Sequence, residues 1–188
     1  AEESIVWPYV CYEPLYVCRD NTLIDGIGFH VIRQVQGQLP GYAHREMLMP
    51  IKRILDFARK GEHQIFYGLY KTADRETYLR FSLPCRISIP TFIVTKKSKI
   101  SQFTDNPSSP VSLDRLLTDS RLRFLSAKSV SFGKGIDEIL EKHQDNKNIT
   151  ILEDTTQMGK KSLMMLTGNR VDYFLSLDST NHNIRRQG

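Results

Sequence analysis

The residues best suited to chemistry are Tyr67-Gly68-Leu69-Tyr70-Lys71-Thr72-Ala73-Asp74-Arg75, followed by Phe81-Ser82-Leu83-Pro84-Cys85. Arg75 carries a planar fork of N–H donors that matches a carboxylate. Thr72 is a capping residue type and Asp74 a first-turn carboxylate, which predicts a short helix from about Ala73 to Leu79. Backbone N–H groups left free at such a helix start also favour an anion. Together these types suit the capture of a small carboxylate. They equally fit a plain surface turn in which Arg75 pairs with Asp74 or Glu76. Tyr67 and Tyr70 add ring faces and hydroxyls, and Lys71 adds a second cation if it points inward. The alternative places Tyr67 in the core and Lys71 in solvent, since alternation along a strand lets neighbours face opposite ways.

The apolar run Ile65-Phe66-Tyr67 has the density of a buried strand leading into this turn. Ile51, Ile54, Leu55 and Ala58 fall at i, i+3, i+4 and i+7, which predicts a helix from about Met49 to Lys60 packed on a sheet. Ile136, Ile139, Leu140 and His143 repeat that spacing, with Gly133 and Gly135 preceding them as a loop. Strands are predicted at Ile89–Thr95, Leu122–Leu125, Ile149–Leu152 and Val171–Leu175, with a helix around Leu113–Leu117. The Asp105-Asn106-Pro107-Ser108-Ser109-Pro110 stretch is loop-like, and a lobe boundary is placed near Lys96. Strands alternating with helices make this an α/β chain, with residues 1–95 as one lobe and 96–188 as the other.

With 188 residues and 40% apolar content the chain is large enough for a globular core and excludes a disordered protein. No apolar run approaches the roughly 20 residues that span a bilayer, and Ala1-Glu2-Glu3 lacks the basic and apolar regions of a signal peptide. The net charge of +5 comes from 26 basic residues dispersed among 21 acids, a solvated surface rather than a nucleic-acid stripe. Neither Lys96-Lys97-Ser98-Lys99 nor Arg185-Arg186 has interleaved stacking aromatics. The three cysteines cannot all pair within one chain. Cys11 and Cys18 flank a loop that a disulfide would suit in an oxidising compartment, and Cys85 reads as a buried small hydrophobe. The five histidines show no ligand spacing, so neither a metal nor a cofactor is expected.

The order of these segments resembles the bacterial extracytoplasmic solute-binding proteins of the polar amino-acid type, family 3. In that family a first strand ends in a loop with an aromatic and a proline, here Tyr12-Glu13-Pro14, and a Gly-aromatic start opens the first helix, here Gly26-Ile27-Gly28-Phe29. A second helix closes with glycine, here Ala58 to Gln64 with Gly61. A Thr-x-x-Arg turn and a Phe-Ser-x-Pro segment follow, here Thr72 to Arg75 and Phe81 to Pro84. The resemblance runs from Ile5 to Leu177. It implies a two-lobed type II periplasmic-binding fold in which Arg75 grips a carboxylate, backbone N–H groups near Gly68 and Thr72 assist, and Tyr12 stacks on the ligand.

From the second lobe the resemblance implies a Gly/Ser/Thr loop, here Ser129 to Gly133 with Ser131, and an acid after a Gly-x-x-Asp motif. Gly168 to Asp172 matches that motif, and Asp178 is the nearest acid, with a slip of about one residue. Two departures stand out. Family members cross back to complete the first lobe, whereas this sequence ends at Gly188 with a polar tail. A truncated chain, an omitted tail and a partner chain that supplies the missing elements are all open. The pocket also presents Tyr67, Gly68, Tyr70 and Lys71 where relatives often carry small hydroxyl residues, which suits an aromatic or more anionic ligand. The resemblance thus implies a periplasmic or otherwise extracytoplasmic, non-catalytic receptor for an amino acid or related carboxylate, serving a membrane transporter permease or a sensor. An interaction domain with a decayed cleft and a lyase-like enzyme on the same fold are the alternatives.

Overall fold

A computed structural model describes residues 3–86, 91–106 and 108–176. Strand β1 (Ser4–Tyr9) is buried throughout its second half, Trp7-Pro8-Tyr9, and pairs in parallel with β4 (Ala43–Leu48). Between them run a hairpin, β2 (Val17–Arg19) with β3 (Thr22–Asp25), and helix α1 (Ile27–Gln36). Asp20 and Asn21 at the hairpin tip both have positive φ, 49° and 64°, which Asp and Asn tolerate and which matches the twist of the flanking strands. On the far side of β1, Gln64 forms an isolated bridge with Val6, and the Ile65 amide donates to the Val6 carbonyl at 3.0 Å. Ile65-Phe66-Tyr67 is therefore not the strand its composition predicts. Gly68 at φ 97° turns the chain away from the sheet after one rung.

Helix α2 (Ile51–Arg59) buries the stripe its spacing predicts, with Ile51, Ile54, Leu55 and Ala58 all inside. Ile51, Ile54 and Leu55 join Trp7, Tyr16, Ile32 and Met49 in one core. Helix α3 (Ala73–Glu76) is shorter than predicted, although the Tyr78 and Leu79 amides still donate to the Arg75 carbonyl at 3.2 and 2.8 Å.

The second sheet has the order β5 (Phe92–Thr95), β8 (Tyr173–Ser176), β6 (Phe124–Ala127), β7 (Ile149–Leu152). β5 lies antiparallel to β8, and the other pairs are parallel. Alternation sends Phe124, Tyr173 and Leu175 to one face and Leu125 and Phe174 to the other. The first face is covered by α4 (Leu113–Thr118) and α5 (Lys134–Lys142), the second by α6 (Met158–Thr167) through Leu166. Ile136, Ile139 and Leu140 on α5 sit half-buried against the first face, and His143 bonds Asp114 at 2.8 Å. The predicted residues Ile89 and Pro90 lie outside the described residues.

Cys11 and Cys18 form a disulfide that closes the loop between β1 and β2. Cys85, by contrast, is exposed rather than buried, because the Ser82–Cys85 segment runs along the surface. The disulfide spans a sequence separation of 7 residues. For so short a loop, chain entropy gives about 2.5 kcal/mol of stabilisation. Urea unfolding with and without a thiol reductant should show a loss of that size, absent in a Cys11→Ser/Cys18→Ser variant.

Candidate functional site

The loop tied by the disulfide carries Tyr12, Leu15 and Tyr16, all buried. Its path is set by α1. The Ile27 and Gly28 amides donate to the Pro14 and Leu15 carbonyls at 3.0 and 2.8 Å. Tyr16 donates its hydroxyl to the Tyr67 carbonyl at 2.7 Å, and burial pushes its phenol pKa well up, so it stays a neutral donor. The loop and the 66–70 turn thereby face each other across a cavity of about 50 Å3. Ser129, Val130, Ser131 and Met158 close it from the second lobe.

Arg75 lies at one wall of this cavity and is 5% exposed. Thr72 caps α3 by accepting from the Arg75 amide at 3.3 Å, which fixes the residue that carries the guanidinium. Nη1 donates to the Tyr70 carbonyl at 2.7 Å and Nη2 to the Ser129 carbonyl at 2.9 Å. Ser129 has φ 62°, and the left-handed turn it makes lies where its carbonyl meets the arginine. Burial pulls the Arg75 pKa below its ordinary value, while Tyr78, Asp137 and Asp74 push it back up. The guanidinium remains charged. Among the described residues no acid forms an ion pair with it. Asp74 instead pairs with Arg59 at 3.2 Å, and Asp137 accepts from the Ser131 hydroxyl and from the Phe132 amide at 2.8 Å.

Of the residues the sequence singles out, Tyr12, Tyr67, Gly68, Tyr70, Arg75 and Ser131 all line the cavity. Thr72 does not line it; its hydroxyl is spent on the helix cap. Ser131 is 9% exposed, with its hydroxyl shared between Asp137 and the Gly133 amide. Lys71 points outward and pairs with Glu76 at 2.8 Å, so it adds no second cation. Asp178 lies outside the described residues. Sequence reasoning missed Tyr16, Leu15 and Met158. Tyr16 and Leu15 follow the quoted Tyr12-Glu13-Pro14 by one or two residues, and no local pattern marks Met158.

Three further links join the lobes beside the cavity. The Cys11 amide donates to the Thr156 carbonyl at 2.7 Å, the Ile51 amide to the Thr155 hydroxyl at 2.9 Å, and the Gln157 side chain to Asn21 Oδ1 at 2.6 Å. Among the described residues no group of His, Cys, Asp or Glu is arranged to hold a metal ion, and no helix is long and apolar enough to cross a membrane.

Two α/β layers with a buried arginine between them are the two-lobed type II periplasmic-binding fold, as the resemblance in sequence implied. The sequence matches no protein-family model and no curated protein. Among solved structures, it is similar to an ancestral arginine-binding protein bound to arginine, with a TM-score of 0.73 at 16% identity over 100% of this chain and 75% of that one. It is also similar to AncCDT-1, described as an ancestral amino acid-binding protein and precursor of cyclohexadienyl dehydratase, with a TM-score of 0.74 at 13% identity over 98% of this chain and 75% of that one. The arginine-, lysine-, histidine-binding protein ArtJ from Geobacillus stearothermophilus gives a TM-score of 0.71 at 15% identity over 98% and 71%. At these identities the likeness is one of fold.

Proposed function

We propose that this protein is a non-catalytic, extracytoplasmic receptor that holds a small carboxylate-bearing solute between its two lobes on behalf of a membrane transporter or sensor, with the boundary before β5, whose residues 92–95 pair with β8, rather than near Lys96. The observation that carries this reading is Arg75, a buried cation on an inter-lobe cavity with two neutral carbonyls for partners and no paired acid among the described residues. A buried charge without a counterion costs several kcal/mol, which an anionic ligand would recover. Amino acids are what the similar folds are described as binding. Tyr12 and Tyr70 would flank the ligand and Ser131 would close the site, while Asp178 is kept as the candidate partner for a ligand amine.

Thermal unfolding against a panel of amino acids and organic acids tests this. A ligand at 100 times its dissociation constant stabilises by about 2.7 kcal/mol. The expected result is stabilisation by at least one carboxylate, reduced more than tenfold in affinity in Arg75→Met. A hit that is unchanged in Arg75→Met would sink the clamp.

A second reading has its own observation. The cavity is only about 50 Å3, and two of the five guanidinium donors already serve the backbone. An interaction domain with a decayed cleft would look like this, would show no stabilisation by any acid and would tolerate Arg75→Met without loss of partner binding. A lyase would call for a general acid–base pair facing Arg75. The described lining supplies hydroxyl-bearing residues, Tyr12, Tyr16, Tyr67, Tyr70, Ser129 and Ser131, rather than a carboxylate or imidazole.

A further inference from the structure

Beyond Tyr12 and Met158 lies a second cavity of about 20 Å3, which shares these two side chains with the first. Its remaining wall is mainly apolar, formed by Leu125, Phe132, Phe174 and Leu175, with Ser126 and Ser162 as minor polar members. The two spaces therefore follow one another from Arg75 into the second lobe, separated by a tyrosine and a methionine. Met158 is half-buried, unbranched and at the first position of α6. Such a side chain moves between rotamers at small cost. Its withdrawal would merge the cavities and add the room it now fills.

The charge distribution along this path is one-sided. A guanidinium stands at one end, and aromatic and aliphatic side chains stand at the other. Asp137 is near Arg75, but it lines neither cavity and its oxygens are occupied by Ser131 and Phe132. A ligand whose far end is apolar would gain from burial among Phe132, Phe174 and Leu125. A ligand whose far end is a guanidinium or ammonium would lose its hydration there without a counterion from the described lining.

We propose that the solute carries its carboxylate at Arg75 and an uncharged aromatic or branched apolar body that passes Met158 into the second cavity, and that basic amino acids are discriminated against. This rests on the receptor reading above. Calorimetric titration of the wild type, Arg75→Met, Met158→Leu and Met158→Glu with phenylpyruvate, phenylalanine, leucine and arginine tests it. A glutamate at the first position of α6 is favourable for the helix, so the last variant should fold. The wild type should bind one of the first three ligands at least tenfold tighter than arginine. Met158→Leu should keep that preference, and Met158→Glu should narrow or reverse it by giving a cation its partner. Tighter binding of arginine to the wild type, lost in Arg75→Met, would overturn this inference and leave the carboxylate receptor standing. No binding of any of the four would overturn this inference and leave the receptor reading to the wider panel, whereas binding that persists in Arg75→Met would remove the receptor reading and this inference with it.

Discussion

Replacing Asp172 by alanine should destabilise the protein by about 3 kcal/mol, at the lower end of the cost of breaking a buried ion pair. Asp172 is 3% exposed and accepts from Arg123 three times, at 2.8 Å from the backbone amide and at 3.0 and 3.1 Å from the guanidinium, and also from Lys99. It thus ties the residue before β8 to the start of β6 and to the 3-10 helix Lys97–Gln102. The Arg123 and Lys99 side chains are 46% and 26% exposed, so water can take them over when the acid is removed, and the cost stays below that of a fully buried pair.

The hydrogen bonds from Arg123, reinforced by Lys99, hold the Asp172 carboxyl well below the usual carboxylate range against the opposing effect of burial. A folded-state pKa lowered beneath the unfolded value of about 3.9 means the unfolded chain takes up the proton first as pH falls. The contribution is complete above that value and drains away as pH drops toward the folded pKa. Urea unfolding of the wild type and Asp172→Asn at pH 7 and at pH 2.5 checks the sign. The gap between them should shrink at the lower pH, and a constant gap would show that the carboxylate charge is not what matters.

Gly26→Ala is expected to cost about 3 kcal/mol or more. The glycine has φ 116°, a conformation that strains any residue with a Cβ, by about 1–3 kcal/mol. An added Cβ would lie 2.5 Å from the Leu15 carbonyl oxygen and 2.9 Å from that of Pro14, both backbone atoms that cannot swing aside. Relief requires the 14–16 segment to move, and with it Leu15 and Tyr16 on the cavity wall. The expected signature is therefore twofold, a lower midpoint in urea and weakened ligand binding in the fraction that remains folded. Gly28→Ala provides the comparison. Its Cβ would meet the Tyr16 ring at 2.5 Å but its backbone is ordinary, so a smaller loss of about 1–3 kcal/mol is expected.

Periodicity made α2 legible in the sequence, because four apolar residues on one stripe leave little freedom in how the helix packs. The β7 strand is legible for a similar reason, since Ile149–Leu152 is a short β-branched run set between polar loops. The Thr72-to-Arg75 turn could be read because capping is local chemistry. Failures came where distant segments decide. Ile65-Phe66-Tyr67 has strand composition, but the fate of the run is set by Gly68 and by the cavity opposite. Lys71 could be assigned a direction only once Glu76 was placed beside it. The hairpin β2–β3 is hard to read although Asp20-Asn21 is a turn signal, because strands of three and four residues are too short to show a period. Met158 reaches the site from residues more than eighty positions beyond Arg75, and nothing in its neighbours foretells that.

Beside the cavity, bonds among the described residues tie Arg75, Cys11, Ile51 and Asn21 on one side to residues 129 and 155–157 on the other. Each is a bond between protein groups, worth about 1 kcal/mol net for the neutral ones and about 1.5–3 kcal/mol for the one from the Arg75 guanidinium. The arrangement of the lobes seen here consequently has its own latch. Under the receptor reading proposed above, a solute would do less to create this arrangement than to prolong it.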